Sequence, residues 1–136
     1  TISEELLAVE TMIPLVMQAA DKLAENNEIE TATKQLKRVL NAVGKSHSLA
    51  LFLQIQLGAL YEDLGKFDEA LKTYESLATT TSKGTLQGKI YLDLARMYQK
   101  NSMMDKARQN YEFVIKNHAE SEYARLAKLY LEQLNL

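Results

Sequence analysis

The stretch Leu57–Glu75, LGALYEDLGKFDEALKTYE, contains the pattern that decides the fold. Its apolar residues recur three and four positions apart, which is the spacing of one face of a helix. Gly58 nevertheless stands inside this run, and a glycine within a helix costs about 1 kcal/mol relative to alanine. Ala70, twelve positions on, is a second small residue, and a tyrosine follows each of the two within four residues. A packing role for the small residues would offset this cost.

Small residues recur at matching positions along the whole chain. One series, spaced by 38 and 37 residues, comprises Ala20, Gly58 and Ala95. A second series with the same spacing comprises Ala32, Ala70 and Ala107. A large residue follows each member, namely Leu23, Tyr61 and Tyr98 in the first series and Leu36, Tyr74 and Tyr111 in the second. The motif YLDLARMY at 91–98 also reappears as YARLAKLY at 123–130, so the chain contains an internal repeat.

Helical periodicity covers the chain and no segment alternates with period two, which predicts an all-α protein. The expected helices are residues 12–25, 28–43, 49–64, 67–79, 85–100, 103–117 and 121–134. Ser3–Glu10 is predicted to be helical too, and Pro14 either kinks one long first helix or opens a new one. Gly65 suits a left-handed helix C-terminus, and Ser102, with Asp105 three residues on, suits a helix N-cap.

These residues resemble the tetratricopeptide repeat (TPR), a pair of helices with Leu-Gly, Tyr and Ala at fixed spacings. The second copy reads Gln54, Leu57, Gly58, Tyr61, Ala70 and Tyr74, and the third reads Tyr91, Leu94, Ala95, Tyr98, Ala107 and Tyr111. A weaker first copy and a final half copy extend the resemblance over nearly the whole chain after Thr11. The absence of tryptophan and the longer connectors depart from the family pattern.

The resemblance implies an all-α, TPR-like solenoid of about three helical hairpins and a capping helix. The hairpins are expected at residues 12–43, 49–79 and 85–117, and the capping helix at 121–134. Residues 1–136 would then form a single TPR-like domain of a larger protein.

Composition argues against several classes of function. The chain has no cysteine, which excludes disulfides, thiol nucleophiles and thiolate metal sites. Its net charge of -2 argues against a general nucleic-acid binder, and its longest uncharged stretch, Ser46–Tyr61, is too short for a membrane helix.

Ala42–Ser46 ends like a P-loop, but Val39 stands where that motif needs its first glycine. His47 and His118 lack a second ligand at metal spacing. We therefore expect no enzyme activity, no metal and no cofactor.

The resemblance implies a concave binding groove lined by the first helix of each hairpin. In the N-terminal half of the groove the predicted positions are Met17, Asp21, Phe52, Ile55, Ala59 and Asp63, of which Met17, Phe52, Ile55 and Ala59 form an apolar floor. Its predicted basic half comprises Lys89, Leu92, Arg96, Lys100, Arg125 and Lys128. Such a groove would suit a protein or peptide with an apolar anchor and acidic residues. The alternative is that Phe52 and Ile55 are core residues of a helix that is apolar on all sides.

The predicted function is a protein–protein interaction module with a scaffold or adaptor role. A structural self-assembly domain is the alternative from a different class. The polar outer side of the last helix, with Glu122, Leu129 and Gln133, favours a monomer or a weak dimer. A narrower resemblance links this helix to TPR domains of bacterial envelope and translocon-associated proteins. It implies a periplasmic, chaperone-like domain anchored by a preceding segment, so the localisation, periplasmic or cytoplasmic, stays open.

Overall fold

The computed structural model describes residues 2–44, 48–81 and 84–135. Over these ranges it contains seven helices and no strand, which confirms the all-α prediction. The helices are α1 (Ile2–Glu25), α2 (Ile29–Val43), α3 (Ala50–Asp63), α4 (Phe67–Thr80), α5 (Thr85–Lys100), α6 (Met104–Asn117) and α7 (Glu122–Leu134). Lys45 and Ser46 of the P-loop-like segment and the connector residue His47 lie outside the described residues.

The first helix is one continuous element. Pro14 lies inside α1, which runs from Ile2 to Glu25, so the alternative in which Pro14 opens a new helix is wrong. A proline cannot donate a hydrogen bond to the carbonyl one turn before it, which weakens a helix at that point. Pro14 is exposed, however, so water can reach this side of the helix and hydrate the carbonyl that lacks a donor.

The chain divides into two compact units, Thr1–Lys66 and Phe67–Leu136. In the first unit α2 packs against both α1 and α3, and α1 also contacts α3. In the second unit α5 packs against α4 and α6, while α7 packs against α6 and contacts α5. The boundary falls inside the predicted hairpin 49–79. The prediction that the chain forms a single domain stays a prediction.

The same backbone geometry ends α1, α3 and α5. Asn27, Gly65 and Ser102, spaced by 38 and 37 residues, have positive φ angles of 66°, 73° and 61°. The amide of the next residue donates to the carbonyl five positions earlier, from Glu28 to Leu23 (2.7 Å), Lys66 to Tyr61 (2.9 Å) and Met103 to Tyr98 (2.8 Å). These bonds satisfy carbonyls that a helix end leaves without partners. The prediction for Gly65 is thereby confirmed.

Ser102 has a different role from the predicted one. The N-cap of α6 is Met103, which makes no side-chain capping bond, so the prediction that Ser102 caps α6 is wrong. Ser102 instead takes the left-handed position after α5 that Gly65 takes after α3. Because the end of α5 requires this conformation, Ser102 cannot also adopt the extended backbone of a capping residue.

The small residues of both series are buried, as the repeat predicts. Those without any exposed surface are Ala20, Ala32, Ala70, Ala95 and Ala107, and Gly58 is buried as well. The tyrosines that follow them, Tyr61, Tyr74, Tyr98 and Tyr111, are also buried. Burying one large apolar side chain stabilises a protein by about 1.5–3 kcal/mol, which outweighs the weak helix propensity of Gly58.

Enlarging a buried small residue should therefore destabilise the protein. We expect Ala70→Leu to lower the free energy of unfolding by about 1–3 kcal/mol, because a fully buried site has no room for three more carbons. Lys72→Ala, at an exposed position of the same helix, should cost less than about 0.5 kcal/mol. Urea unfolding followed by circular dichroism measures both. Equal midpoints for the two variants would contradict the proposed repeat register.

The left-handed residue after α5 offers a stabilising substitution. Serine is strained at positive φ and glycine is not, so Ser102→Gly should raise the free energy of unfolding by about 0.5–1 kcal/mol. The reciprocal change Gly65→Ser should lower it by a similar amount. Thermal unfolding of both variants beside the parent protein measures the effect. A destabilised Ser102→Gly protein would show that the serine side chain, and not the backbone conformation, matters at this position.

Candidate interaction faces

In the first unit, one side chain ties α3 to α1. Gln56 Nε2 donates to the carbonyl oxygen of Met17 (3.0 Å) and to Asp21 Oδ1 (2.7 Å). The two acceptors lie one turn apart on α1, so the amide connects the helices at two points. Gln56 follows Ile55 directly and lies one turn after Phe52. The structure therefore brings the predicted site residues of α1 next to those of α3.

Three predicted residues of α3 share one helical face, because they lie three and four positions apart. Phe52 is 43% exposed and Ala59 is exposed, while Ile55 is half-buried. Phe52 is therefore not a core residue. We call Met17, Phe52, Ile55 and Ala59 the apolar face. The exposed carboxylates of Asp21 and Asp63 belong to the same two helices and complete the predicted set in this unit.

In the second unit, the buried Asp93 lies between two predicted basic residues of α5. Lys89 Nζ lies 2.6 Å from Asp93 Oδ2, and Arg96 Nη1 lies 2.9 Å from Asp93 Oδ1. Ion pairs at these three- and four-residue spacings are typical of helices. Together the three side chains carry one net positive charge, so this part of the surface is less basic than the sequence interpretation expected. Asp93 was missed there, although its spacing from both cations pointed to it.

The other predicted cations, Lys100, Arg125 and Lys128, differ in the interactions that they make within the protein. Lys100 Nζ lies 5.4 Å from the centroid of the Phe67 ring, within range of a cation–π contact. Arg125 forms a long, exposed ion pair of 3.9 Å with Glu122, which contributes little to stability. Lys128 is exposed and has no ion pair within the part of the chain that the structure describes. We call Lys89, Arg96, Lys100, Arg125 and Lys128 the basic face.

Leu92 does not belong to an accessible surface. It is only 4% exposed, because α5 is packed against α4, α6 and α7. The prediction that Leu92 lines a groove is therefore corrected, because the buried side chain offers a partner almost no contact area. Because α5 contacts three other helices, more of its surface is buried than the spacing of its apolar residues predicts.

Tyr111 is a buried phenol close to the basic face. Its hydroxyl donates to Gln99 Oε1 at 2.8 Å, and its ring lies 5.8 Å from that of Tyr130. Burial raises the pKa of Tyr111 to about 12, although the nearby Arg96 guanidinium acts in the opposite direction. Burial, with a contribution from Glu75, also raises the pKa of Tyr98. Both phenols are therefore neutral at physiological pH and cannot act as bases there.

His118, the connector histidine that the structure describes, has a packing role. Its Nε2 lies 2.9 Å from Gln87 Oε1, and its ring lies close to Gly88, where an added Cβ would approach His118 Cγ to 3.2 Å. Within residues 11–44, 48–81 and 84–135, no group of three or more histidine, aspartate or glutamate side chains could hold a metal ion. Over the same ranges, no helix has both the length and the apolar character needed to cross a bilayer.

Comparison with solved structures identifies the fold. A TPR protein from Parabacteroides merdae superposes with a TM-score of 0.77 at 19% identity, over 91% of this chain and 46% of that one. Nearly identical TPR-like repeats from Podosopora anserina give 0.75 at 20% identity, over 90% and 64% of the two chains. The TPR domain of Arabidopsis FLU gives 0.68 at 18% identity, over 83% and 99%. The chain has a TPR-like fold.

The likeness extends to the fold and not to particular residues. No family model matches the sequence, and no curated protein matches it either. The chain spans about half the length of the Parabacteroides merdae structure and about two thirds of the Podosopora anserina repeats. TPR-like folds commonly mediate protein–protein interactions and are typically non-catalytic. The link to bacterial envelope proteins stays a prediction.

The raised pKa of Tyr111 predicts a loss of stability in alkali. Below pH 10 the phenol is protonated in both states, so its full contribution is present. As the pH rises from about 10 towards 12, the unfolded state loses this proton first, and the free energy of unfolding falls. Tyr111→Phe should make this fall shallower and, by removing the Gln99 bond, should cost about 0.5–1.5 kcal/mol at neutral pH.

Urea unfolding at several pH values between 8 and about 11.5 measures both effects. Tyr123→Phe is the control, since it removes a phenol hydroxyl without touching the Gln99 bond. A pH dependence that is unchanged in Tyr111→Phe would show that the phenol of Tyr111 titrates alike in both states.

Proposed function

We propose that this TPR-like chain is a protein-interaction module for a segment with an apolar anchor and nearby acidic residues. The observation that carries the proposal is the 43% exposure of Phe52 within the apolar face. Large aromatic side chains are enriched in protein interfaces and often provide much of the binding energy. Ile55 and Met17, both half-buried, would form the floor beside it.

The two faces would have different tasks in binding. A partner's apolar side chain would bury against the apolar face and provide most of the affinity. The carboxylates of Asp21 and Asp63 would repel acidic neighbours of that anchor, so acidic residues would engage the basic face instead. That the two faces form one continuous groove stays a prediction.

Within the basic face, the accessible charge would come mainly from Lys128, Arg125 and Lys100. Lys89 and Arg96 already bind Asp93, which cancels part of their charge. Exposed charges mainly increase the association rate and orient a partner, and salt screens them. The apolar contact would therefore persist at high ionic strength, and the charge contribution would not.

A titration with a defined probe tests this division. The probe is a short fluorescein-labelled peptide with one Leu-Phe pair between glutamates, and the readout is fluorescence anisotropy at low and high salt. We expect Phe52→Ser to weaken binding about tenfold or more at both salt concentrations. Lys128→Glu should weaken binding at low salt only.

Met104→Ser is the matched control, because Met104 is an exposed apolar residue of α6, a helix that contributes to neither face. Thermal unfolding of each variant checks that the fold is intact. Unchanged affinity in Phe52→Ser, or chemical shifts that map the peptide to α2, α4 and α6, would refute the proposal. Light scattering tests the alternative of self-assembly, since a monomer at all concentrations excludes it.

A further inference from the structure

Equivalent positions of the repeat differ sharply in burial. Leu15 of α1 is 65% exposed, whereas Leu53 and Ile90, 38 and then 37 residues further on, are each 1% exposed. One turn later, Ala19 is exposed while its counterparts Leu57 and Leu94 are buried. The same face is therefore buried in α3 and α5 and open in α1.

The neighbouring helices explain the difference. In the first unit α2 packs against α3, and in the second unit α4 packs against α5. Each of these later helices thus has its predecessor in the chain packed against it. Leu15 and Ala19 of α1 remain exposed with every described residue in place. A helix is the kind of element that covers this face elsewhere in the same chain.

A cavity continues the open face between α1 and α2. It has a volume of about 380 Å³ and is lined by Met12, Val16, Gln35, Arg38, Val39 and Ala42. In the third repeat, the counterparts of Val16 and Arg38 are Tyr91 and Phe113, whose rings stack with centroids 4.3 Å apart. The cavity therefore exists where a valine and an arginine replace an aromatic pair.

The border of this cavity is basic. Arg38, which lines the cavity, and Lys34, one turn before it on α2, are exposed, and neither has an ion pair within the part of the chain that the structure describes. By contrast, α4, which packs against α5, carries three acidic residues, Asp68, Glu69 and Glu75, and one basic residue, Lys72. An acidic helix would complement the charge at this edge.

We propose that this face binds an amphipathic helix of a partner protein, with an apolar stripe and an acidic flank. This α1–α2 face is separate from the apolar and basic faces and comprises Met12, Leu15, Val16, Ala19, Arg38 and Val39. Apolar residues three and four positions apart in the partner would cover Leu15 and Ala19, and one would enter the cavity. A carboxylate of the partner would pair with Arg38.

A second copy of the chain fits the face less well than a partner protein. The other exposed large apolar residues of the described chain are Phe52, Met103, Met104 and Leu129. Within residues 11–44, 48–81 and 84–135, no other helix places two of them three or four positions apart, so this part of the chain offers no second apolar stripe. A symmetric contact between two α1–α2 faces would bring the basic border of α2 to both sides, which like charges disfavour.

A peptide with the sequence of α4 is the probe, because α4 is a helix that packs against α5, the counterpart of α1 in the third repeat. It carries the sequence FDEALKTYESLATT, capped at both ends and closed by a lactam between Asp68 and Lys72, which are exposed in the protein. Methyl chemical shifts of the full chain are followed during the titration. We expect shifts at Met12, Leu15, Ala19 and Val39.

Three variants test the assignment. Leu15→Glu should weaken peptide binding about tenfold, or about 1.4 kcal/mol. The double variant Val16→Tyr with Arg38→Phe transfers the aromatic pair of the third repeat into the cavity and should remove binding. Leu129→Glu, which places the same charge on exposed α7, should bind like the parent. Thermal unfolding confirms that each variant is folded.

Three outcomes would overturn the proposal. They are the absence of shifts at about 1 mM peptide, shifts centred on Phe52 and Ile55, and shifts that grow with protein concentration without peptide and vanish in Leu15→Glu. The last outcome would identify a second copy as the occupant. Because the proposed function concerns Phe52 and its neighbours, either proposal can fail without the other.

Discussion

Close approach of neighbouring helices at small residues is the constraint on which the structure depends. Helices pack closely only where a small side chain leaves room for the opposing one, and here those positions are fully buried alanines and one glycine. Large side chains, mostly tyrosines, follow them at fixed spacing and fill the remaining space. The left-handed residue at each turn then fixes where the first helix of a pair ends. Packing and turn geometry recur together because both belong to the same sequence repeat.

Repetition also explains what could be predicted from the sequence. A short sequence pattern is a weak guide when it occurs once, but it is reliable when it recurs, as with the alanines at 32, 70 and 107. The helices and their buried faces could be predicted from this recurrence. Ser102 was misassigned because serine is a favoured N-cap residue, whereas the end of α5 requires a left-handed backbone at this position. Leu92 and Asp93 were misjudged because their burial depends on how many helices surround α5, and spacing within one helix does not contain that information.

The faces differ because the repeats differ at the same positions. In the third repeat, the stacked rings of Tyr91 and Phe113 occupy the positions that correspond to Val16 and Arg38. In the first repeat, Val16 and Arg38 line an open cavity instead. Gln56 joins α1 to α3 beside an exposed phenylalanine, whereas Asp93 holds two cations of α5 in place. Repeat proteins vary their binding surfaces in this way: the backbone of each repeat is similar, and side chains at equivalent positions differ.

The recurring helix end constrains where this chain can change its length. The sequence distance from the small residue of the first series to that of the second is twelve in all three repeats, from 20 to 32, from 58 to 70 and from 95 to 107. The variation in repeat length therefore falls outside this twelve-residue segment. An insertion at Asn27, Gly65 or Ser102 would disturb the recurring turn geometry at these positions, whereas an insertion between repeats leaves that geometry intact. Loop grafts and fusion sites for this protein accordingly belong between repeats.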